Sequence, residues 1–246
     1  MNFYRHLLTL TILSGFVLSS HPAAAQTEKT DYDRYYEAAG SSLPVLRAKR
    51  ALQYNFAFNG TPYYSPGGFR KGDICLNGKV YKDFNVNYNS HLQTLEVRVG
   101  NSPLIRTYDS DDVDWFTMDD LKFVNLRKQG HSSVPEGFYE VVYEGAENLY
   151  RRVNKPLDVN TYSNTVVNIG YSDPGYRDNV PEFFSYKEIW YLESESGVEE
   201  FKKKNFIFKK YPGSKKLSRE LPYYGDVDHA LWYSSLMSLI EKQGRK

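Results

Sequence analysis

The sequence predicts a mainly β fold: an antiparallel meander, curled into a barrel-like or sandwich sheet, with a C-terminal helix. The chain of 246 residues contains 22 Tyr, 14 Phe and 3 Trp, and aromatic side chains favour the pleated, half-buried surface of a sheet. Apolar and polar residues alternate with a period of two over several short segments, and turn residues separate these segments at regular intervals. The mean hydropathy of −0.60 fits strands that keep one face in water.

The clearest local signal is the pair Asn77-Gly78 between two apolar segments. Both central residues of a type I′ turn need positive φ, so this pair predicts a β-hairpin with strands at 74–76 and 79–81. Alternation continues through Phe84, Val86 and Tyr88 and, after a turn at Asn89-Ser90, through 94–99. Further strands are expected at residues 104–108, 113–118, 121–127, 138–143, 149–153, 186–193 and 198–202, with a loop at 129–136.

The remaining segments have weaker patterns. A short helix is expected at residues 32–39, and loosely helical spacing at 43–52 follows Pro44, which can open a helix. The polar segment 159–181 predicts a long loop that contains a short strand at 165–170, and residues 206–210 favour neither structure.

The C-terminal tail is predicted to be helical. Asp226 is the expected N-cap, and the helix is expected to pack on the sheet or cover one of its open ends. The apolar residues at helical spacing are Ala230, Leu231, Leu236, Leu239 and Ile240.

Residues 1–25 have the pattern of a cleavable signal peptide. Arg5 precedes an apolar run at 7–18, and Ala23-Ala24-Ala25 provides small residues before Gln26. The run is too short for a transmembrane helix, and no cysteine near the cleavage point offers a lipid attachment site. We therefore expect cleavage near Ala25 and a single β-rich domain at 26–246, without a transmembrane span, in the periplasm or outside the cell.

Charge and cysteine content restrict the partners. With 31 Lys and Arg against 30 Asp and Glu, the chain lacks the basic excess that a nucleic-acid surface requires. Cys75 is the only cysteine, which excludes an internal disulfide, and its strand context predicts burial. One basic run, preceded by Glu199 and Glu200, is typical of a solvated face; it consists of Lys202, Lys203, Lys204, Lys209 and Lys210.

Motifs for catalysis, cofactors or metals are not found in the sequence. His91, His131 and His229 lack the spacing of a zinc site and are interpreted as surface or capping residues. The acidic cluster that starts at Asp109 resembles the start of a calcium loop. Asp114 stands where that loop needs Gly, and Asp120 where it needs Glu, which predicts a solvated turn instead. The phosphate-binding, dinucleotide-binding and G-x-S-x-G patterns are also missing.

Carboxylates on predicted strands leave one enzymatic alternative open. Asp83, Glu96, Glu140 and Glu188 are candidates for a pair that hydrolyses glycosides, since such pairs form in space rather than in sequence. Polar positions on the wet face of a sheet explain the same residues more simply.

Aromatic residues in loops are the strongest binding signal. Tyrosines on loops offer flat, amphipathic contact area at low entropic cost. Tyr63 and Tyr64, in a turn-rich segment, and Tyr171 and Tyr176, in the long polar loop, are therefore the candidate ligand-binding residues.

Three blocks of sequence carry a resemblance to a known group of proteins. They are the strand block Gly72–Asp83, of the form G-x-[VI]-x-x-x-G-x-x-Y-x-D, the strand end Asn87-Tyr88-Asn89, and the hairpin Gly137–Gly145, of the form G-F-Y-E-x-[LV]-Y-[ED]-G. Over positions 55 to 210 the chain resembles a group of uncharacterised exported β-rich proteins of Bacteroidota-type Gram-negative bacteria. The resemblance implies the fold and export and provides no catalytic residues.

These observations lead to a ranked set of hypotheses. The first is a non-catalytic binding or envelope-associated module whose partner is an envelope protein, a glycan or a lipid. The second is a carrier that encloses an apolar ligand or lipid in the curled sheet, which requires a large apolar cavity. The third is a hydrolase, which requires two carboxylates that converge in a cleft, one with a raised pKa.

Overall fold

The computed structural model describes residues 48–98, 105–159 and 181–244. The predicted signal peptide, the predicted helix at 32–39 and the predicted strand at 165–170 lie outside these residues. The strands are β1 (Lys49–Arg50), β2 (Arg70–Leu76), β3 (Lys79–Asn89), β4 (Thr94–Arg98), β5 (Ile105–Tyr108), β6 (Val113–Met118), β7 (Leu121–Val124), β8 (Tyr139–Tyr143), β9 (Asn148–Asn154), β10 (Leu157–Val159), β11 (Glu182–Phe184), β12 (Lys187–Ser194) and β13 (Gly197–Phe201). The α-helices are α1 (Asn205–Lys210), α2 (Ser214–Leu217) and α3 (His229–Gly244), with 3-10 turns at Ser110–Asp112, Ser218–Glu220 and Tyr224–Asp226.

Eleven strands form one antiparallel sheet in the order β1-β5-β4-β3-β2-β6-β7-β8-β9-β12-β13, and β10 pairs with β11 in a separate ribbon. The sheet consists of two meanders that meet where β2 pairs with β6. This architecture confirms the predicted mainly β fold with a C-terminal helix. The sheet is open rather than closed into a barrel, so β1 and β13 are its edges among the described residues.

The predicted type I′ hairpin is confirmed. Asn77 and Gly78 have φ values of 48° and 80°, as that turn requires. Asp114 in β6 stabilises the turn, because its Oδ2 accepts a hydrogen bond from the backbone N–H of Gly78 at 2.6 Å. Cys75 is buried as expected, with its Sγ 3.3 Å from the same carboxylate oxygen.

The connection between β5 and β6 requires the first meander to curl. The register places Tyr108, at the end of β5, level with Tyr88 of β3, and Val113, at the start of β6, level with Lys79 at the other end of β3. In a flat sheet these two positions would lie more than about 30 Å apart. The connector 109–112 contains a 3-10 turn and spans only about 13 Å. Strands β2 to β5 must therefore wrap around their own core.

The interior of this curl is filled mainly by aromatic side chains. Phe116 stacks on Phe123 at 4.7 Å between ring centroids, and Phe138 meets Phe116 edge-on at 5.0 Å, a geometry that aromatic pairs prefer. The buried members of this core are Ile74, Leu76, Tyr81, Phe84, Val86, Tyr88, Leu95, Val97, Tyr108, Val113, Phe116, Met118, Phe123 and Phe138.

The second meander is covered by the helices on one face. Alternation along β9 and β12 places Leu149 and Trp190 under the helical layer, and Tyr150 and Tyr191 on the opposite face with a smaller core of their own. Tyr233 of α3 packs against Trp190 at 4.4 Å between ring centroids. The expectation that the C-terminal helix packs on the sheet is confirmed.

Two expectations about local structure are wrong. The helical spacing at 43–52 does not produce a helix in its described part, because Lys49–Arg50 pairs with β5 and the N–H of Ala51 donates to the carbonyl of Ile105. An open sheet edge thus outweighs a weak local pattern. Strand β7 ends at Val124, earlier than predicted, because the side chain of Asn125 turns the chain by bonding the carbonyl of Ser110 at 2.6 Å.

The predicted N-cap of the C-terminal helix is also wrong by two residues. Asp226 lies in a 3-10 turn, and Asp228 caps the helix instead: its Oδ1 accepts from the N–H of Ala230 at 2.8 Å and of Leu231 at 3.1 Å. Residues 206–210, which favoured neither structure, belong to α1.

Substituting Gly72 tests the close approach of β2 and β6. A Cβ at this position would lie 1.9 Å from the backbone oxygen of Thr117, so one strand must move. We expect Gly72→Ala to lower the free energy of unfolding by about 3 kcal/mol, measured by urea denaturation. Gly244→Ala is the control, since its Cβ meets nothing within 4 Å. Equal stability of the two variants would contradict this packing.

Candidate functional site

The neighbouring tyrosines Tyr63 and Tyr64 lie in two different environments. A bridge between Tyr63 and Asn89 and a hydrogen bond from the N–H of Tyr64 to the carbonyl of Tyr88 pair this segment with the end of β3. Extended pairing directs successive side chains to opposite sides. Tyr63 lines a groove, and Tyr64 joins a buried charge cluster. Tyr171 and Tyr176 lie outside the described residues.

The groove lies between the segment that follows β1, the aromatic segment around Tyr54 and Tyr63, and strands β4 and β5. Its volume is about 400 Å³, within the range of small-molecule sites. Exposed Arg50 and Leu52 are at its rim, while Pro62 and Glu96 are buried. Its lining residues are Arg50, Ala51, Leu52, Gln53, Tyr54, Phe58, Pro62, Tyr63, Glu96 and Ile105.

Glu96 is a buried carboxylate in the lining of this groove. It is only 2% exposed, and its Oε1 lies 3.5 Å from both the Tyr63 hydroxyl and the Asn89 amide nitrogen. Among the described residues it forms no ion pair. Burial raises the pKa of Glu96, although the hydrogen bonds from Asn89 and Tyr63 act in the opposite direction. A carboxylate with a raised pKa in a cleft is a functional-site candidate.

Aromatic rings form the wall beside Glu96. Tyr54 meets Phe58 edge-on at 5.6 Å between ring centroids, and Phe58 meets Phe184 of β11 at 4.9 Å. The hydroxyl of Tyr54 lies 3.2 Å from the Asn89 amide nitrogen, so the aromatic wall and the carboxylate share one polar partner. These contacts fix the positions of the rings.

Lys155 fixes the backbone of the same segment. Its side chain is buried, and Nζ donates to the carbonyl oxygen of Tyr63 at 2.5 Å. Burial lowers the pKa of Lys155 to about 8. His91 lies beside this contact, with Nδ1 2.9 Å from the carbonyl oxygen of Lys155. The position of Tyr63 therefore depends on β3, through its bridge to Asn89, and on the residue that follows β9.

Tyr64 contacts a charge cluster centred on Arg151 of β9. Arg151 is 7% exposed; its Nε donates to Glu140 Oε2 at 2.7 Å and its Nη2 to the Tyr64 hydroxyl at 2.7 Å. The same hydroxyl donates to Glu140 Oε2 at 2.7 Å. Burial and the charge of Glu140 raise the pKa of Tyr64, so the hydroxyl remains a donor.

The cluster extends to the start of α3. Arg151 Nη1 lies 3.4 Å from Asp228 Oδ2 and 3.9 Å from Glu188 Oε2. Glu188 Oε1 bonds His229 Nδ1, and the ring of His229 stacks on Tyr224 at 4.1 Å. His229 is thus a partner of Glu188 rather than an unpaired surface residue.

The four strand carboxylates considered for hydrolysis separate into three places. Glu140 and Glu188 converge on Arg151, Glu96 lines the groove, and Asp83 forms an exposed ion pair with Lys71 at 2.9 Å. Glu140 is buried and accepts hydrogen bonds from the Arg151 guanidinium and the Tyr64 hydroxyl, as expected of a structural ion pair. The groove lining contains Glu96 as its one carboxylate within the described residues.

The other predicted polar features have structural contacts. His131 pairs with Glu193 at 2.8 Å. The acidic cluster begins with a turn, as expected, where Asp109 pairs with Lys49 at 2.6 Å, and Asp114, in β6, pairs with Lys128 at 2.8 Å. Across residues 48–98, 105–159 and 181–244, no group of three His, Cys, Asp or Glu residues is placed to hold a metal ion. No helix in the same ranges is both long and apolar enough to cross a membrane.

Comparison with protein families, curated proteins and solved structures finds no match to this chain. The resemblance to exported Bacteroidota-type proteins therefore stays a prediction, and the function has to be inferred from the groove and its surroundings.

Removing Arg151 tests the charge cluster. We expect Arg151→Ala to lower the free energy of unfolding by about 3–5 kcal/mol, because Glu140 would stay buried without its partner. Lys71→Ala, which breaks the exposed pair with Asp83, is expected to cost at most about 1 kcal/mol. Urea denaturation measures both. A loss for Arg151→Ala no larger than that for Lys71→Ala would contradict the buried pairing.

The raised pKa of Glu96 predicts a specific effect of pH on stability. When the pH is above the ordinary Glu pKa of 4.5, folding must bury a carboxylate charge that is solvated in the unfolded chain. When the pH is below this value, Glu96 is protonated in both the folded and the unfolded state, and this cost disappears. Glu96→Gln should therefore raise the urea midpoint at pH 7, and the gain should vanish as the pH falls below 4.5.

Glu193→Gln is a control whose stability should change in the opposite direction to that of Glu96→Gln. Burial acts to raise the pKa of Glu193, but hydrogen bonds from Asn148 and Tyr150 and the contact with His131 outweigh it, so the pKa is lowered. Such a group stabilises the fold above its unfolded pKa and loses this effect as the pH falls. Glu193→Gln should therefore be less stable than the unmodified protein at pH 7 and approach it in acid. If Glu96→Gln and Glu193→Gln changed the stability at pH 7 in the same direction, the environments described for these two carboxylates would be contradicted.

Proposed function

We propose that this protein is an exported, non-catalytic binding module that holds its ligand in the groove lined by Tyr54, Phe58, Tyr63 and Glu96. The single observation that carries the proposal is Glu96. A carboxylate that is buried without a cation opposes folding, so its place in an open groove beside aromatic rings is best explained by a ligand that provides the missing partner.

The ligand that complements this groove carries an ammonium group on an apolar body. The negative charge of Glu96 attracts the cation, and the faces of Tyr54, Phe58 and Tyr63 provide cation–π attraction and apolar contact. Such groups occur on lipid headgroups and on protein side chains. Both classes belong to the expected envelope partners.

The arrangement supports a binding module over the two alternatives. A carrier needs a large apolar chamber, whereas the curled sheet is open and its interior is filled by side chains such as Phe116 and Phe123. A hydrolase needs two carboxylates that face one substrate, whereas Glu140 is held by Arg151 and Glu96 lines a different surface. Location in the periplasm or outside the cell rests on the signal-peptide pattern of residues 1–25.

Titration with small probes tests the proposal. We expect choline to bind in the groove at pH 7 and to shift the NMR signals of residues 51–54 and 63, while acetate does not bind. Glu96→Gln should weaken choline binding by about ten-fold or more, because the negative charge that attracts the trimethylammonium group is lost. Glu200→Gln, an exposed carboxylate on β13, should leave it unchanged.

The pH dependence separates an ionic ligand from a neutral one. Because burial raises the pKa of Glu96, choline binding should weaken as the pH falls toward 4.5, whereas binding of a neutral disaccharide would persist. If the disaccharide binds and choline does not, the groove is still the binding site, but its ligand is not a cation. Failure of every probe to bind in the groove, or choline binding that Glu96→Gln leaves intact, would overturn the proposal itself.

A further inference from the structure

The surface of helices α1 and α2 is strongly basic in a chain whose net charge is only +1. The segment from Lys202 to Arg219 contains eight basic residues and no acidic one, so the rest of the chain is acidic on balance. We call this surface the basic cap; its members are Lys202, Lys203, Lys204, Lys209, Lys210, Lys215, Lys216 and Arg219.

The fold directs these charges outward together. Ile207 is buried, and Phe206, Phe208, Tyr211 and Leu217 pack against the core beneath, so the apolar side of both helices faces the sheet. Six of the eight basic side chains are exposed, and Lys204 and Lys210 are intermediate.

Few of these charges are neutralised by neighbouring acids. Lys202 lies 3.7 Å from Glu200, and Lys210 lies 3.5 Å from Glu199. Among the described residues, the other six have no carboxylate partner within ion-pair distance. An excess of this size creates a local positive potential that attracts anionic surfaces.

Exposed apolar side chains border the basic cap. Lys204 Nζ lies 4.8 Å from the ring centre of Tyr224 and 5.8 Å from that of Trp232. The chain neighbours of those two rings are Tyr223, 74% exposed, and Leu231, 64% exposed. Apolar side chains of this size beside lysines are typical of proteins that lie on a bilayer surface, whereas a nucleic acid gives an exposed leucine no apolar environment.

We propose that the basic cap binds the surface of an anionic bilayer, with Tyr223 and Leu231 inserted at the level of the headgroups. Lysine and arginine near such a surface contribute additively.

Vesicle co-sedimentation tests the proposal with the protein purified as the cell makes it. We expect binding to phosphatidylcholine vesicles that contain phosphatidylglycerol, little binding to pure phosphatidylcholine, and loss of binding at high salt. A quadruple variant with Lys209→Gln, Lys215→Gln, Lys216→Gln and Arg219→Gln should bind about 600-fold more weakly, since each charge contributes about five-fold.

A matched variant keeps the test specific to this surface. Lys79→Gln, Lys82→Gln, Lys122→Gln and Lys187→Gln remove the same charge from exposed positions elsewhere and should retain binding. Tyr223→Ser with Leu231→Ser should weaken vesicle binding and leave binding to heparin unchanged, which separates insertion from charge attraction. Circular dichroism and the urea midpoint verify that each variant is folded.

Three outcomes would overturn the inference. The first is equal loss of binding in both quadruple variants, which would indicate a response to net charge alone. The second is equal binding to neutral and anionic vesicles. The third is binding to duplex DNA with no binding to vesicles, which would assign the cap to a nucleic acid.

Discussion

The buried guanidinium of Arg151 makes the contacts on which the arrangement of the molecule depends. A charge in this position needs partners for its donors, and Arg151 obtains them from parts of the chain that are far apart in sequence: Tyr64, Glu140, Glu188 and Asp228. Its planar fork fixes the direction of each partner. The segment that carries Tyr63 and Tyr64, the second meander and the start of α3 are thereby joined at one point.

Much of the fold is predictable because its signals are local. Asn77-Gly78 specifies a turn through the φ values of two residues, and alternation specifies which face of β3 or β4 is buried. The errors occur where distant contacts decide. Lys49–Arg50 becomes a strand because β5 offers an open edge, and Asp228 rather than Asp226 caps α3, where it also meets Arg151. A single sequence contains no local sign of either partner.

The candidate site was predictable only in part. The aromatic density around Tyr63 and Tyr64 indicated a binding surface, and Tyr63 does line the groove. Glu96 was considered only as one of four strand carboxylates, because its position between Leu95 and Val97 fits a wet strand face. That face is covered by the segment that carries Tyr54 and Tyr63, and coverage by a distant segment leaves no trace in the local pattern. Lys155 and Arg151 were missed for the same reason.

The two edges of the open sheet have a consequence for self-association. An unpaired edge can add strands from another molecule and begin an aggregate. Strand β1 has only two residues, both basic, and β13 carries Glu199 and Glu200. Two copies that met through the same edge would bring like charges together. In a chain rich in tyrosine and phenylalanine, whose composition favours cross-β assembly, the charges thus disfavour pairing between two like edges.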